Sequence, residues 1–278
     1  MMPVTDTQPK YGDLPVSSWH RWILAVTQNC GRGFLGHTLA HALRRIFILT
    51  HADTVDYTRD GIHFRFHLLD NVCERRYFFT PQFYDRAEHD FINEFLPAGG
   101  VFVDVGANVG IYSLWAAKKT GPSGIVLSIE PNEAALTRLR FNISVNPDLQ
   151  QISVAAMGVG EKEGNFKLYL ESTNLGGSSL VAKGQAPFIE VPCAPLPDIL
   201  KKYNINRRIG IMKLDIEGYE ENVLRVFFAD APESIFPDGL IIENSPDLLT
   251  GNMPAMLHKA GYRRFLQTRM NSIFLRNG

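Results

Sequence analysis

Beyond Gly100, apolar runs alternate with helical patterns, and this alternation limits the folds open to the chain. Continuous apolar runs are typical of strands that are buried on both faces, as in a parallel sheet covered by helices. Such strands are joined by right-handed helical crossovers. The sequence therefore predicts an α/β fold with a largely parallel sheet. The predicted strands are Val101–Val105, Ile125–Glu130, Ile152–Ala155, Ile211–Asp215 and Gly239–Glu243.

Two hairpins are expected to complete this domain. Tyr262–Leu266 and Ser272–Leu275 predict a C-terminal antiparallel hairpin. Phe166–Leu170 and Phe188–Val191 predict an inserted β-hairpin after the third strand, around a loop rich in glycine and serine. Helices are predicted at 86–96, 109–119, 133–145, 219–228 and 253–259.

The N-terminal part has a different pattern and predicts a separate region. We predict three regions: a flexible tail at 1–16, an N-terminal α+β cap on the substrate side at 17–83, and the main domain at 84–278. The predicted elements of the cap are helices at 17–26 and 34–49 and a hairpin at 53–66 around Asp60-Gly61. The helix at 34–49 is amphipathic, which suits docking on the main domain or a weak contact with a membrane surface.

Composition and charge argue against several classes of protein. The 278-residue chain has a formal net charge of −1 and a pI near 6.7, which disfavours a nucleic-acid partner. Cys30, Cys73 and Cys193 show neither metal-ligand spacing nor a disulfide framework. The N-terminus lacks a signal-peptide pattern, and no run of about 18 apolar residues predicts a transmembrane segment. We therefore expect a cytoplasmic protein.

A glycine-bearing turn follows the first strand of the main domain and reads Asp104-x-Gly106-x-Asn108-x-Gly110. Dinucleotide-binding proteins carry Gly-x-Gly-x-x-Gly at this place, with a pyrophosphate on the helix N-terminus. Here Asn108 replaces the second glycine, and Asp104 adds a charge that repels phosphate but can pair with an α-ammonium group. This pattern favours S-adenosylmethionine over NAD as the ligand.

The end of the second predicted strand supplies further candidates for a nucleoside site. Glu130 can accept hydrogen bonds from both ribose hydroxyls, a role found in NAD sites as well. Its alternative is a solvated carboxylate near a helix N-terminus. Asn132 either lines the adenine end or serves as a helix N-cap. Met157 either packs on adenine or fills the core.

Five segments carry a family resemblance: Val101–Leu114, Ile129–Asn132, Ala156–Gly158, Gly177–Leu180 and Met212–Glu220. In order and spacing they resemble the FkbM-type S-adenosylmethionine-dependent methyltransferases, over about residues 84–262. The resemblance implies a Rossmann-like class I methyltransferase with a mainly parallel seven-stranded sheet. It implies S-adenosylmethionine as cofactor and a small-molecule, glycan or glycolipid hydroxyl as methyl acceptor. One departure is Pro195–Asp198, where many members have Thr-Leu-Asp-Asp.

Methyl transfer to a hydroxyl needs a base near the acceptor oxygen, and Asp215 and Glu217 are the candidates. Asp215 is favoured because a charge at a buried strand end is costly without a partner. Glu217, like Glu220, can instead stabilise the first turn of the following helix. Asp215, Glu243 and Asn244 could also form an all-oxygen site for a divalent cation. No metal is expected, since oxygen-rich strand ends also serve as ordinary hydrogen-bond anchors.

Other assignments stay open at the level of sequence. An NAD-dependent oxidoreductase is disfavoured by Asp104 and Asn108, and a catalytically silent cofactor-binding protein is the third interpretation. His89 is a further candidate base, and Tyr84 is a candidate lid residue over the cofactor.

Overall fold

The chain divides between Tyr84 and Asp85 into two units, Met1–Tyr84 and Asp85–Gly278. A computed structural model describes residues 9–31, 33–171, 173–182, 184–245, 248 and 251–277. The division lies one residue after the predicted boundary between the cap and the main domain, so Tyr84 falls in the first unit.

The first unit combines helices with one hairpin. The predicted turn at Asp60-Gly61 joins the two antiparallel strands, with Arg59 paired to Ile62. One helix was not predicted: its N-cap Asn71 accepts hydrogen bonds from the amides of Cys73 and Glu74. The elements are α1 (Ser18–Asn29), α2 (Phe34–Thr50), β1 (Thr54–Arg59), β2 (Ile62–His67), α3 (Val72–Phe79) and a 3₁₀ turn (Pro81–Phe83).

Part of the predicted flexible tail lies against the hairpin of this unit. Pro15 forms a bridge to Asp56, and Val16 is buried. The side chain of Arg65 donates to the carbonyls of Pro9 and Lys10. Residues 10–16 are therefore anchored by hydrogen bonds, whereas residues 1–8 lie outside the described part of the chain.

A seven-stranded sheet forms the centre of the second unit, in the order β11-β12-β10-β9-β3-β4-β5. Its strands are parallel except β12, which runs antiparallel to both β10 and β11. The predicted parallel sheet with its C-terminal hairpin is thereby confirmed. The strands are β3 (Val101–Val105), β4 (Ile125–Ile129), β5 (Ile152–Ala155), β9 (Ile211–Leu214), β10 (Gly239–Glu243), β11 (Tyr262–Gln267) and β12 (Asn271–Arg276).

The insertion after the third sheet strand is larger than the predicted hairpin. β7 (Gly164–Tyr169) and β8 (Phe188–Ala194) pair antiparallel as expected, and the short β6 (Gly158–Val159) adds a parallel third strand. Directly after β8, Pro195 is the N-cap of a helix that was not predicted, where the sequence departs from the usual family pattern. The helices of the unit are α4 (Arg86–Phe95), α5 (Ile111–Thr120), α6 (Glu133–Ser144), α7 (Leu196–Lys202), α8 (Glu220–Asp230) and α9 (Met253–Lys259).

Burial follows the pattern expected for a sheet covered by helices. All five residues of β3 and all four of β9 are buried. The chain leaves β3 toward β4 and β5 on one side, and β9 and β10 occupy the other side. In open parallel sheets, ligands bind outside the strand ends at such a change of direction. In the part of the chain that the structure describes, no helix is long and apolar enough to cross a bilayer.

Candidate active site at the carboxyl ends of the sheet

The glycine turn after β3 packs directly against the loop after β9. Gly106 has a φ of +79°, and a Cβ on it would lie 2.0 Å from the backbone oxygen of Asp215. The amides of Gly106 and Ala107 both donate to the carbonyl oxygen of Ile129, at 3.0 and 3.1 Å. Only glycine fits this position without moving the backbone. The turn therefore fixes the ends of three strands relative to one another.

Glu130 joins the two loops that border the predicted nucleoside site. Its Oε2 accepts from the amide of Asn108 at 2.8 Å, and its Oε1 accepts from the amide of Asn132 at 2.9 Å. Burial raises the pKa of the Glu130 carboxyl to about 7, against the lowering effect of the two amides. Glu130 is thus a buried acceptor rather than a solvated carboxylate.

The remaining residues predicted to hold the cofactor divide into two groups. Asn108 and Gly110, with positive φ values of 50° and 89°, shape the turn itself. Asn132 caps α6 by accepting from the amide of Ala134, and it donates to Ser178. Met157 is partly buried and packs against the main core of the sheet. A direct role of these side chains in cofactor binding stays a prediction.

Asp104 lies within β3 and has internal partners. Its Oδ2 accepts from the hydroxyl of Ser113 at 2.6 Å, and Ser113 in turn accepts from Ser128 at 2.7 Å. Its buried Oδ1 has no hydrogen-bond partner among the described residues and lies 3.9 Å from Nζ of Lys213. Burial raises the pKa of Asp104, while Lys213 and Ser113 lower it.

Lys213 is a site residue that the sequence interpretation missed. It occupies β9 beside Asp104 in register, and its Nζ donates to Oδ2 of Asp215 at 2.8 Å. The ammonium group also lies 4.9 Å from the centre of the Tyr112 ring, in cation–π geometry. Its side chain is only 4% exposed. A lysine inside an otherwise apolar strand was the available signal, because a buried ammonium group needs an acidic partner.

Three carboxylates converge at the ends of β9 and β10. Asp215, Glu217 and Glu243 each offer one oxygen, and these oxygens lie within 4.8 Å of one another. Burial, together with the charges of Asp215 and Glu217, raises the pKa of Glu243 to about 9. We call this group the carboxylate cluster. A bound positive charge would stabilise its ionised form.

Glu220 supports the loop that carries two members of the carboxylate cluster. It is fully buried, and its Oε1 accepts from the amides of Ile216 and Gly218 at 2.9 and 3.3 Å. Glu217, between these amides, has a positive φ of 57°. Glu220 thus fixes an otherwise unfavourable backbone conformation, in addition to its predicted place in the first turn of α8.

The possible metal ligands differ from those considered at the sequence level. The side chain of Asn244 is hydrogen-bonded to the C-terminal hairpin. Its Oδ1 accepts from Ser272 at 2.7 Å, and its Nδ2 donates to the carbonyl of Thr268 at 3.0 Å. Glu217, which was not considered as a metal ligand, lies together with Asp215 and Glu243. Three carboxylate oxygens suit a hard divalent cation, and they suit an organic cation equally well.

His89 and Tyr84 have surroundings of their own. His89 is buried and stacks on Trp115 with ring centroids 4.6 Å apart. Burial lowers the pKa of His89 to about 4, so its imidazole is neutral near pH 7. Tyr84 is buried in the first unit, where its ring lies 5.3 Å from that of Tyr77. Neither position gives independent support to the roles considered for these residues.

The strand order, the glycine turn and the acidic strand ends together define a Rossmann-like class I methyltransferase fold. In sequence, residues 104–264 match the methyltransferase FkbM domain. This match covers more than half of the chain, and the chain belongs to the FkbM methyltransferase family.

Two relatives match part of the chain. The chain is 27% identical over 176 residues to methyltransferase sdnD of Sordaria araneosa, and this match covers 53% of the chain and 65% of the relative. It is 24% identical over 148 residues to methyltransferase 1 of Beauveria bassiana, which covers 46% of this chain and 59% of the relative. The chain therefore spans less than two thirds of either relative.

Solved structures resemble the fold at low sequence identity. The crystal structure of methyltransferase FkbM from Methylobacillus flagellatus shares 19% identity, with a TM-score of 0.42 and coverage of 75% of this chain and 56% of that one. A putative rRNA-methylase from Clostridium thermocellum shares 11% identity, with a TM-score of 0.46 and coverage of 69% and 95%. The fold assignment itself rests on the strand order.

Proposed function

We propose that this protein transfers a methyl group from S-adenosylmethionine to a hydroxyl oxygen of a small molecule, such as a sugar, a glycolipid or a secondary metabolite. The observation that carries the proposal is the carboxylate cluster beside the glycine turn, at the change of strand direction. A cluster of partly buried carboxyl groups there favours a cationic ligand and opposes a polyphosphate.

The residues present fit a sulfonium nucleoside with an amino-acid end. Oδ1 of Asp104 is a buried acceptor without a hydrogen-bond partner among the described residues, which suits the α-ammonium group. Glu130 has further lone pairs for the ribose hydroxyls beyond those used by the amides of Asn108 and Asn132. Gly106 and Gly110 supply positive φ values in the turn, and Met157 is the candidate contact for adenine.

Bound S-adenosylmethionine supplies an electrophilic methyl group on sulfur. The protein must then hold the acceptor oxygen in line with that methyl group and accept the hydroxyl proton. We assign the proton to Asp215, whose side chain is 35% exposed and therefore reachable, with Glu217 as the second candidate. Lys213 would act on the orientation of Asp215, because it holds one of the two carboxylate oxygens.

Two other functions remain as outcomes of the test. An NAD-dependent oxidoreductase would need the acidic site to accept a pyrophosphate, which its charge opposes. A catalytically silent protein would bind the donor without transferring the methyl group.

A divalent cation in the carboxylate cluster would lower the pKa of the acceptor hydroxyl, and chelation tests this variant of the mechanism.

Calorimetric titration with S-adenosylmethionine and with NADH tests the cofactor assignment. We expect binding of the first compound only, and binding about 10- to 100-fold weaker in Glu130→Gln, because a buried acceptor of the ribose is weakened. The matched control is Glu133→Gln, whose carboxylate is 72% exposed. Binding of NADH, or unchanged affinity in Glu130→Gln, would contradict the assignment.

Incubation with methyl-labelled donor and fractionated metabolite and glycolipid extracts tests the transfer itself, with and without chelator. We expect label in an alkali-stable ether product that Asp215→Asn forms at least about 100-fold more slowly. Donor binding without product from any fraction would instead support the silent protein.

A further inference from the structure

Helix α2 carries an apolar stripe that the first unit leaves open. Leu35, Leu39, Ile46 and Leu49 are 82%, 47%, 41% and 82% exposed. With the exposed Ala42 between them, they follow one another at spacings of four and three residues. That spacing places all five on one face of a helix.

The opposite side of α2 already has its own apolar residues. Ala40, Leu43 and Phe47 are buried, and Phe47 packs edge-on against Phe78 and Phe79 of α3. The exposed stripe is therefore additional to the face that stabilises the fold. Exposed apolar residues in a contiguous row are typical of interaction surfaces, whereas scattered ones are ordinary.

Helix α1 adds two exposed tryptophans to the same unit. Trp19 and Trp22 are 52% and 55% exposed, and their rings stack with centroids 5.8 Å apart. Indole rings favour the boundary between lipid and water, because an apolar ring carries a polar N–H group.

The charge of this segment restricts what can cover the stripe. Residues 14–52 contain no aspartate or glutamate but contain four arginines, at 21, 32, 44 and 45. This segment has a formal charge of +4, whereas the rest of the chain has 24 basic and 29 acidic residues. Arg45 precedes Ile46 of the stripe and is exposed. This segment combines positive charge with exposed leucine and tryptophan, as in helices that lie in a membrane interface.

We propose that α1 and α2 bind the surface of an anionic phospholipid bilayer, with the apolar stripe in the acyl boundary and Arg45 at the headgroups. A second copy of the chain fits less well, because paired α2 helices would bring Arg45 and His41 together with no acidic residue on either helix. At 17 residues, α2 is about 25 Å long and lies along the surface in this arrangement. The inference stands on the first unit and is independent of the proposed methyl transfer.

Sedimentation of the full chain with vesicles tests this proposal. We expect at least a 10-fold preference, of the size usual for a few basic groups at a charged surface, for phosphatidylcholine vesicles that contain phosphatidylglycerol over phosphatidylcholine alone. The preference should decrease with salt. The variant Leu39→Ser/Ile46→Ser/Leu49→Ser should lose binding. The control Leu69→Ser/Leu266→Ser/Met270→Ser, which alters scattered exposed positions, should retain it.

Fluorescence with brominated anionic lipids reports on the tryptophans directly. Quenching in the unmodified protein should disappear in Trp19→Phe/Trp22→Phe, which leaves Trp115 in place. Equal sedimentation with both kinds of vesicle, or retained binding in the triple stripe variant, would overturn the proposal. So would a dimer in solution that this variant abolishes, since it would assign the stripe to a second copy.

Discussion

Both units bury charged side chains, but the two units differ in the charge and hydrogen-bond partners that they give to these groups. In the first unit, Arg65 donates to both oxygens of Asp56 at 2.7 and 2.9 Å, and its other N–H groups reach two backbone carbonyls. Asp56 accepts in addition from the amides of Gly12 and Leu14. One cation thus faces one anion, and both carboxylate oxygens are hydrogen-bonded.

In the second unit, Lys213 contacts two carboxylates, Asp104 and Asp215. The neighbouring Glu243 feels the negative charges of Asp215 and Glu217, and its pKa is raised. The comparison separates two uses of buried charge. An ion pair whose hydrogen bonds are all made within the protein has a structural role, whereas a group of carboxylates that outnumbers its cations can bind a cationic ligand.

The largest expected effect is on catalysis in the second unit. Asp215→Asn should lower the rate of methyl transfer by about 10²- to 10⁴-fold, because the amide cannot accept the hydroxyl proton. Asp90→Asn is the control, since Asp90 is 66% exposed and has no assigned role in the site. The measurement is transfer of labelled methyl at saturating donor, together with the melting temperature of each variant. An Asp215→Asn protein as active as the control would remove Asp215 from the proposed mechanism.

The next effect concerns stability of the first unit. Arg65→Met should reduce the free energy of unfolding by about 3–5 kcal/mol, because it leaves the buried Asp56 without its charge partner. Arg86→Met breaks the exposed pair of Arg86 with Asp90 and should cost at most about 1 kcal/mol. Urea unfolding measures both. If the double variant Asp56→Leu/Arg65→Met were as unstable as Arg65→Met, the loss would lie in packing and not in unpaired charge.

A smaller effect should appear in the pH dependence of stability. The folded pKa of Glu243, about 9, is above its unfolded value of 4.5, so folding takes up a proton between these pH values. Stability should therefore fall with rising pH in this window, by up to about 1.4 kcal/mol per pH unit. Glu243→Gln should remove that slope and be the more stable protein near pH 8. Glu94→Gln, at an exposed position, serves as control; an identical slope in all three proteins would exclude Glu243 as the cause.

The smallest effect is a proton release on donor binding. A cation near the carboxylate cluster should lower the pKa of Glu243, so binding near pH 7 to 8 should release a fraction of a proton. Calorimetry in buffers of different ionisation enthalpy measures this fraction. It should decrease in Glu243→Gln. Proton uptake instead of release would place the positive charge of the donor away from the cluster.

Much of the second unit could be predicted because its signals are local. The apolar runs of β3, β4, β9 and β10 and the turn at Gly106 each lie within a few residues, where burial and backbone geometry leave a readable pattern. Helices α3 and α7 were missed because their stability comes mainly from tertiary contacts. In α3, a capping Asn71 precedes an aromatic run that is buried by the rest of the unit.

The sequence by itself determined the fold class, the family and the identity of the acidic residues at the strand ends. Only the tertiary structure decided which of them act together. It placed Lys213 between Asp104 and Asp215, brought Glu217 together with Asp215 and Glu243, and directed the amide oxygen of Asn244 to the hydroxyl of Ser272. The reason is that periodicity reports which face of a strand is buried, whereas the neighbour across the sheet depends on strand order and register. Those are fixed by packing of the whole domain.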